Sequence, residues 1–242
     1  MTMSSNYSEE ALFARESLFR QKLNKLRTTG EIQRMSRSCA QSGFKEIEQN
    51  FYLNNTSTIL AHENPRQLEK LALLDSLTEL YNHDTISRML KDEVRRAQRY
   101  KKEVSVLALT IDNFPEVTKQ GGPIACDFIL KATAQMLMQS IRDVDIPGRY
   151  DRDHFIFICP ETTLTGATCL ANRLCNNVSS ERIAEGGKQW QITISIGIAS
   201  FPDTAQNEQQ LLDLAFRSLI LAERSGGNNY HVVQADAKKY LR

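Results

Sequence analysis

The chain has 242 residues and 27.5 kDa, and is 41% hydrophobic and 24% charged, which fits a folded globular protein and excludes a disordered one. Its 30 Lys and Arg against 29 Asp and Glu leave a formal net charge of +1, which excludes a broad basic footprint for coating nucleic acid. No apolar run approaches the roughly 20 residues that span a bilayer. The opening MTMSSNYSEE is too polar for a signal peptide, so the expectation is a cytoplasmic chain.

Residues 1–65 read as a helical N-terminal extension. In 8–28, a serine that can cap a helix and two glutamates precede Leu12, Phe19, Leu23 and Leu26 on one helical face. Thr28-Thr29-Gly30 breaks that pattern, and weaker helices run through IQRMSRSCA and FKEIEQNFYL. So short a segment builds a core only against the main domain, a second copy or a partner.

From residue 66 onward the pattern alternates. RQLEKLALLDSLTELY and SRMLKDEVRRAQRYKK read as helices separated by a turn at NHD. VSVLALTI (104–111) is a dense β-branched and apolar run, hence a buried strand. A helix through FILKATAQMLMQSI follows, then two short strands in IPGRYDRDHFIFICP around a turn at Asp151-Arg152-Asp153. TGATCLANRLCNNV is helical and QITISIGIASF a strand. NEQQLLDLAFRSLILAERSG is a helix closed by glycine, and NYHVV is a last strand. Interleaved helices and strands predict an α/β or α+β domain over 66–242, with helices covering one face of a sheet.

Cys39, Cys126, Cys159, Cys169 and Cys175 form no CxxC, and His62, His83, His154 and His231 are scattered. Reduced thiols are therefore expected, with no disulfide framework, zinc site or other metal centre.

Five segments, in order, resemble the signatures of GGDEF domains. DSLTELYNH (Asp75–His83) is similar to DxLTxLxNR, and IDNF (Ile111–Phe114) to the end of D-I-D-x-F-K. RYDRDHF (Arg149–Phe155) sits where the family has R-Y-G-G-[DE]-E-F. SIGIA (Ser195–Ala199) and AERSGGN (Ala222–Asn228) are similar to S-I-G-[IV]-A and A-K-x-x-G-R-N. The resemblance implies a nucleotidyl cyclase-like fold, a central sheet flanked by helices. Active members are diguanylate cyclases, which join two GTP molecules into cyclic di-GMP with Mg²⁺ held by paired carboxylates.

The motif positions depart from the family's pattern at several places. Thr110 replaces the first metal aspartate, while Asp112 keeps the second aspartate of that strand signature. Asp151 and Arg152 replace the two hairpin glycines, which let the backbone approach the nucleotide. Asp153 keeps a carboxylate, and His154 replaces the following glutamate. Pro115 stands for a lysine, and Thr118 for the asparagine that reads guanine, although Asp127 keeps a second base-reading carboxylate. Glu223 and Gly227 replace the lysine and arginine that grip phosphates. These substitutions lead to the expectation of a degenerate domain without cyclase activity and without a bound cofactor.

One further family feature is kept. Arg142-Asp143-Val144-Asp145 reproduces the RxxD product-binding motif, five residues (Ile146–Tyr150) ahead of the hairpin turn. Arg173 lies where the family supplies a further arginine. Arginine's fork suits guanine O6 and N7, and a carboxylate suits the guanine N–H groups. The expectation is a cyclic di-GMP receptor acting through Arg142, Asp145 and Arg173, signalling to a protein partner, with a second copy as another candidate partner. The rival readings are a nucleotide-independent scaffold and a GTP-binding regulatory module.

Overall fold

The computed structural model describes residues 73–185 and 188–232. The extension over 1–65, with its apolar face at Leu12, Phe19, Leu23 and Leu26, lies outside the described residues.

The first departure from the sequence pattern comes at Leu73–Tyr81. The apolar spacing of RQLEKLALLDSLTELY predicts a helix, yet the described part is a turn closed by bridges from Tyr81 to Leu74 and to Gly148. Asp75 is the reason. Its Oδ1 accepts from both the backbone N–H (2.8 Å) and the hydroxyl (2.7 Å) of Thr78, which offers the chain a turn in place of a helix. Glu79 then takes a left-handed φ of 58°.

Helix α1 (His83–Tyr100) begins inside the segment expected to be a turn. Asn82 supplies the cap, its side-chain oxygen accepting from the Thr85 N–H, and Ile86, Leu90, Val94 and Ala97 form the buried stripe. Strand β1 (Val104–Ile111) is buried at every position, with the boundaries the sequence predicts. Helix α2 (Phe114–Ser140) starts earlier than its apolar pattern suggests and is kinked at Gly122 (φ 68°) beside Pro123.

Strands β2 (Ile146–Arg149) and β3 (His154–Pro160) form the expected hairpin around 151–153. Helix α3 (Leu164–Ser180) is capped by Thr163. A small two-stranded ribbon, β4 (Ile183–Glu185) and β5 (Lys188–Trp190), has no counterpart in the sequence reading. Strand β6 (Ile194–Phe201), helix α4 (Glu208–Arg224), capped by Asn207, and strand β7 (Tyr230–Val232) complete the described chain.

The main sheet runs β2-β3-β1-β6-β7, antiparallel except for the parallel β6–β7 pair. Helices cover both of its faces, not one. Alternation along β6 puts Gly197 under α4, where a Cβ would collide with the Ala215 carbonyl and the Leu219 amide. On the opposite face α3 reaches the same strand, its Cys175 thiol lying 3.6 Å from the Ile194 carbonyl. Burial of β1 and β6 at every position requires this two-sided cover. Among the described cysteines none is in a disulfide; Cys126, Cys159 and Cys175 are buried and Cys169 is exposed.

Candidate functional site

Two groups of side chains matter, at different places on the sheet. The first gathers where β1, the β2–β3 hairpin and the end of α4 meet. The register pairs Thr110 with both His154 and Ser195, so the family's first metal position holds a buried hydroxyl between two sheet neighbours. Asp112, two residues on, is engaged by the chain itself. Its Oδ1 accepts from the Ser195 hydroxyl (2.6 Å), and its Oδ2 from the Thr193 hydroxyl (2.6 Å) and the Asn228 N–H (2.8 Å). Gly227 allows this closure: at φ 71°, a Cβ there would sit 2.9 Å from the Asp112 carboxylate. The absence of a side chain at 227 thus follows from the position of Asp112.

Arg149 fixes the hairpin tip. It pairs with Asp75 at 3.1 Å, and donates from Nε to the Asp151 carbonyl and from Nη2 to the Arg152 carbonyl. Burial pushes the Asp75 carboxyl up, but the Thr78 hydrogen bonds and the Arg149 charge outweigh it and hold the group below its ordinary value. At the tip, His154 Nδ1 lies 2.7 Å from Asp151 Oδ1 and 3.7 Å from Asp153 Oδ1. Asp151, Asp153 and His154 bring three ligand atoms within 4.8 Å of one another. Two oxygens and one imidazole nitrogen suit a first-row transition ion better than Mg²⁺, which favours all-oxygen shells. At the two positions where the family resemblance implies metal carboxylates, Thr110 offers a hydroxyl and Asp153 a carboxylate.

The His154 ring meets Phe216 of α4 edge-on, and Tyr150 packs between His83 and Phe216. Glu223 completes this corner. Burial raises its carboxyl above the ordinary value; His154 pulls it back, and Asp112 and Asp153 push it further up. Thr118 and Asp127 lie on either side of the α2 kink, with the Thr118 hydroxyl on the Phe114 carbonyl and 3.2 Å from Cys126 Sγ. Arg152 is exposed at the tip.

The second group sits at the C-terminal end of α2. Arg142 and Asp145 are joined through the Arg142 N–H, and Arg173 of α3 reaches the same end of α2 at the Ser140 carbonyl. Arg142 is exposed and its guanidinium has no hydrogen-bond partner among the described residues. Arg173 Nη2 donates to the Ser140 carbonyl at 2.6 Å, which ties α3 to the end of α2 two residues before Arg142. Asp145 is placed differently from the ligand-facing carboxylate the sequence suggests. It is only 4% exposed, and its Oδ2 accepts from the backbone N–H of Arg142 at 2.8 Å. Among the described residues its Oδ1 is buried without an oxygen or nitrogen partner, and the fully buried Cys159 thiol interacts with this carboxyl. Burial raises its pKa above the ordinary value, against the Arg142 N–H bond and the two arginine charges.

Sequence reasoning missed Thr193 and Ser195 as the hydroxyls that hold Asp112; the serine of SIGIA was the available signal. It also missed the roles of Ser140 and Asn177 beside the arginines, for which no motif exists.

A mixed sheet with helices on both faces and a hairpin beside its central strand defines a nucleotidyl cyclase-like domain. The match is specific: the family model described as diguanylate cyclase, GGDEF domain, covers residues 72–229, and the chain belongs to that family. Response regulator PleD of Caulobacter vibrioides is 32% identical over 161 residues, which is 66% of this chain and 36% of that protein. Diguanylate cyclase DgcS of Shewanella oneidensis is 32% identical over 166 residues, 68% of this chain and 54% of that protein. The chain thus spans between about a third and a half of the length of these relatives. Among solved structures, the GGDEF domain of DgcB from Caulobacter crescentus, in complex with c-di-GMP, superposes with a TM-score of 0.63 at 21% identity. That match covers 66% of this chain and 92% of DgcB's GGDEF chain.

These relatives correct one expectation. A domain without cyclase activity was inferred from the substituted motif positions, yet DgcS, a relative at 32% identity, is named as a diguanylate cyclase. The substitutions at 110, 151, 152, 154, 223 and 227 stand, and the inference from them to inactivity is withdrawn. Among the described residues no helix is long and apolar enough to cross a membrane.

Proposed function

We propose that this GGDEF domain is a signalling module whose working ligand is cyclic di-GMP, taken up at Arg142, Asp145 and Arg173 and reported to a protein partner. One observation carries the reading: Arg173 of α3 reaches the Ser140 carbonyl at the end of α2, two residues before Arg142, whose N–H bonds the Asp145 carboxylate. Arg142 is exposed, its guanidinium without a hydrogen-bond partner among the described residues, and suits a base edge or a phosphate. Arg173 is held in place by the Ser140 carbonyl, so little side-chain freedom is lost on binding.

A second reading, cyclase turnover at the hairpin corner, is favoured by the names of the relatives. Both readings place the same dinucleotide at the arginines, as effector in one and as product in the other.

Calorimetric titration with cyclic di-GMP, GTP and cyclic di-AMP in parallel tests the ligand. Arg142→Ala is expected to cost roughly 2–4 kcal/mol, the worth of charged hydrogen bonds plus an unpaired base edge. That corresponds to about 30- to 1000-fold in affinity. Glu223→Lys, at the hairpin corner, is expected to leave this binding unchanged. Incubation with GTP and Mg²⁺, followed by chromatography, decides between effector and product. Wild-type protein that binds no cyclic di-GMP at on the order of tens of micromolar would transfer the assignment to an interaction scaffold.

A further inference from the structure

We infer that Cys159 is a positioning residue of the dinucleotide site, its thiol holding the Asp145 carboxylate in place for the guanine N–H groups. The inference rests on the reading of Arg142, Asp145 and Arg173 as a cyclic di-GMP site.

The register of the β2–β3 hairpin places the two side chains. Ile146 opposes Ile158 in an antiparallel ladder, so Asp145, the residue before β2, comes opposite Cys159. Side chains directly opposite one another stand on the same face of a sheet. The register also sets Cys159 opposite Ser105 of β1, and Ser105 opposite Ser200 of β6. Gly197 faces α4, so Ser200, three residues on, faces the other side of the sheet, and Ser105 and Cys159 with it. That is the side of α3, from which the Arg173 charge acts on Asp145.

The carboxylate is held at one oxygen by the backbone, Oδ2 accepting from the Arg142 N–H at 2.8 Å. Oδ1 is buried without an oxygen or nitrogen partner among the described residues, and the Cys159 thiol interacts with this carboxyl. Ser105, the polar neighbour of Cys159 in the sheet, gives its hydroxyl hydrogen to the Thr162 carbonyl at 2.8 Å. The thiol is the donor left on the inner side of Asp145. A carboxylate has about four acceptor positions, so two remain for guanine N1–H and the exocyclic amine. Asp145 follows the exposed residues 142–144 and is itself 4% exposed. The groups that hold it from inside therefore decide which lone pairs are turned outward.

The test is the affinity for cyclic di-GMP against pH, by calorimetry on the full chain from about pH 4 to about pH 8. Only the ionised carboxylate accepts both guanine N–H groups, so affinity should fall as pH is lowered through the Asp145 midpoint, which burial raises. The groups acting on Asp145 are Arg142, Cys159 and Arg173, with Asp143 exposed two residues before it. The arginines stay charged and the buried thiol stays protonated across this range. The Asp145 carboxyl carbon resonance of the free chain should titrate with the same midpoint. Cys159→Ala is expected to move both midpoints up by about half to one pH unit, the usual worth of one hydrogen bond. Cys159→Ser keeps a donor and is expected to leave them at the wild-type pH. A cysteine that only packs would lower affinity alike at every pH. Should Cys159→Ala melt early, Cys159→Val, which fills the space without a donor, reads the same shift. An alanine variant with wild-type midpoints, or a serine variant that moves as far as alanine, overturns the role of Cys159. Absence of wild-type binding, or an Arg142→Ala variant that binds normally, overturns the site reading itself, and the inference falls with it.

Discussion

Asp75→Ala removes the group that joins the segment before α1 to the hairpin tip. The carboxylate accepts two bonds from Thr78, at 2.8 and 2.7 Å, and two contacts from Arg149 Nη1, at 3.1 and 3.2 Å. The ion-pair side chains are only 15% (Arg149) and 22% (Asp75) exposed, so solvent screens them little. Breaking a mostly buried pair of this kind costs about 3 kcal/mol, because Arg149 is left uncompensated and the Thr78 donors lose their acceptor. For a domain of this size that is a fall in melting temperature of roughly 6–12 °C. The pH dependence has a definite sign. Asp75 is held below its ordinary value of 3.8, so its contribution is present above that pH and is lost as pH falls through the lower folded value. Urea denaturation at neutral pH should therefore separate wild type from variant, and the gap should narrow in acid. A double-mutant cycle with Arg149→Ala should return a coupling of about 1–3 kcal/mol. A loss below about 1 kcal/mol at neutral pH, or a gap that widens in acid, would refute this account of the hairpin anchor.

Two more outcomes follow from packing and hydrogen bonding. Gly197→Ala should destabilise by about 2–3 kcal/mol in chemical denaturation, since its Cβ would meet the α4 backbone, which has no flexible side chain to yield. Asp112→Ala should cost about 2–4 kcal/mol, as the Thr193 and Ser195 hydroxyls and the Asn228 N–H lose their acceptor. Amide exchange at Asn228 should accelerate in the same variant, and unchanged exchange there would count against the role given to Asp112.

The sequence by itself determined the elements whose signal is local. The β-branched run 104–111 is a strand because every position is apolar or small, and a strand with no polar face has to be buried on both sides. The hairpin at 151–153 and the apolar stripes of α3 and α4 are equally local, set by periods of two and 3.6 residues. Arg142, Asp145 and Arg173 are singled out by the resemblance to the family's RxxD motif, which local periodicity does not contain. Other features needed the tertiary structure. Leu73–Tyr81 carries a helical apolar pattern, but Asp75 takes the Thr78 N–H and reaches an arginine 74 positions away, and propensity loses to that contact. The order β2-β3-β1-β6-β7 and the cover on both faces arise from pairings between segments distant in the chain, which no window of residues contains. The burial of Asp145 and the engagement of Asp112 by Thr193, Ser195 and Asn228 are likewise long-range. A motif fixes which residues are present and how far apart they lie along the chain. Which of their lone pairs and hydrogens remain unengaged depends on neighbours that only folding brings within hydrogen-bond distance.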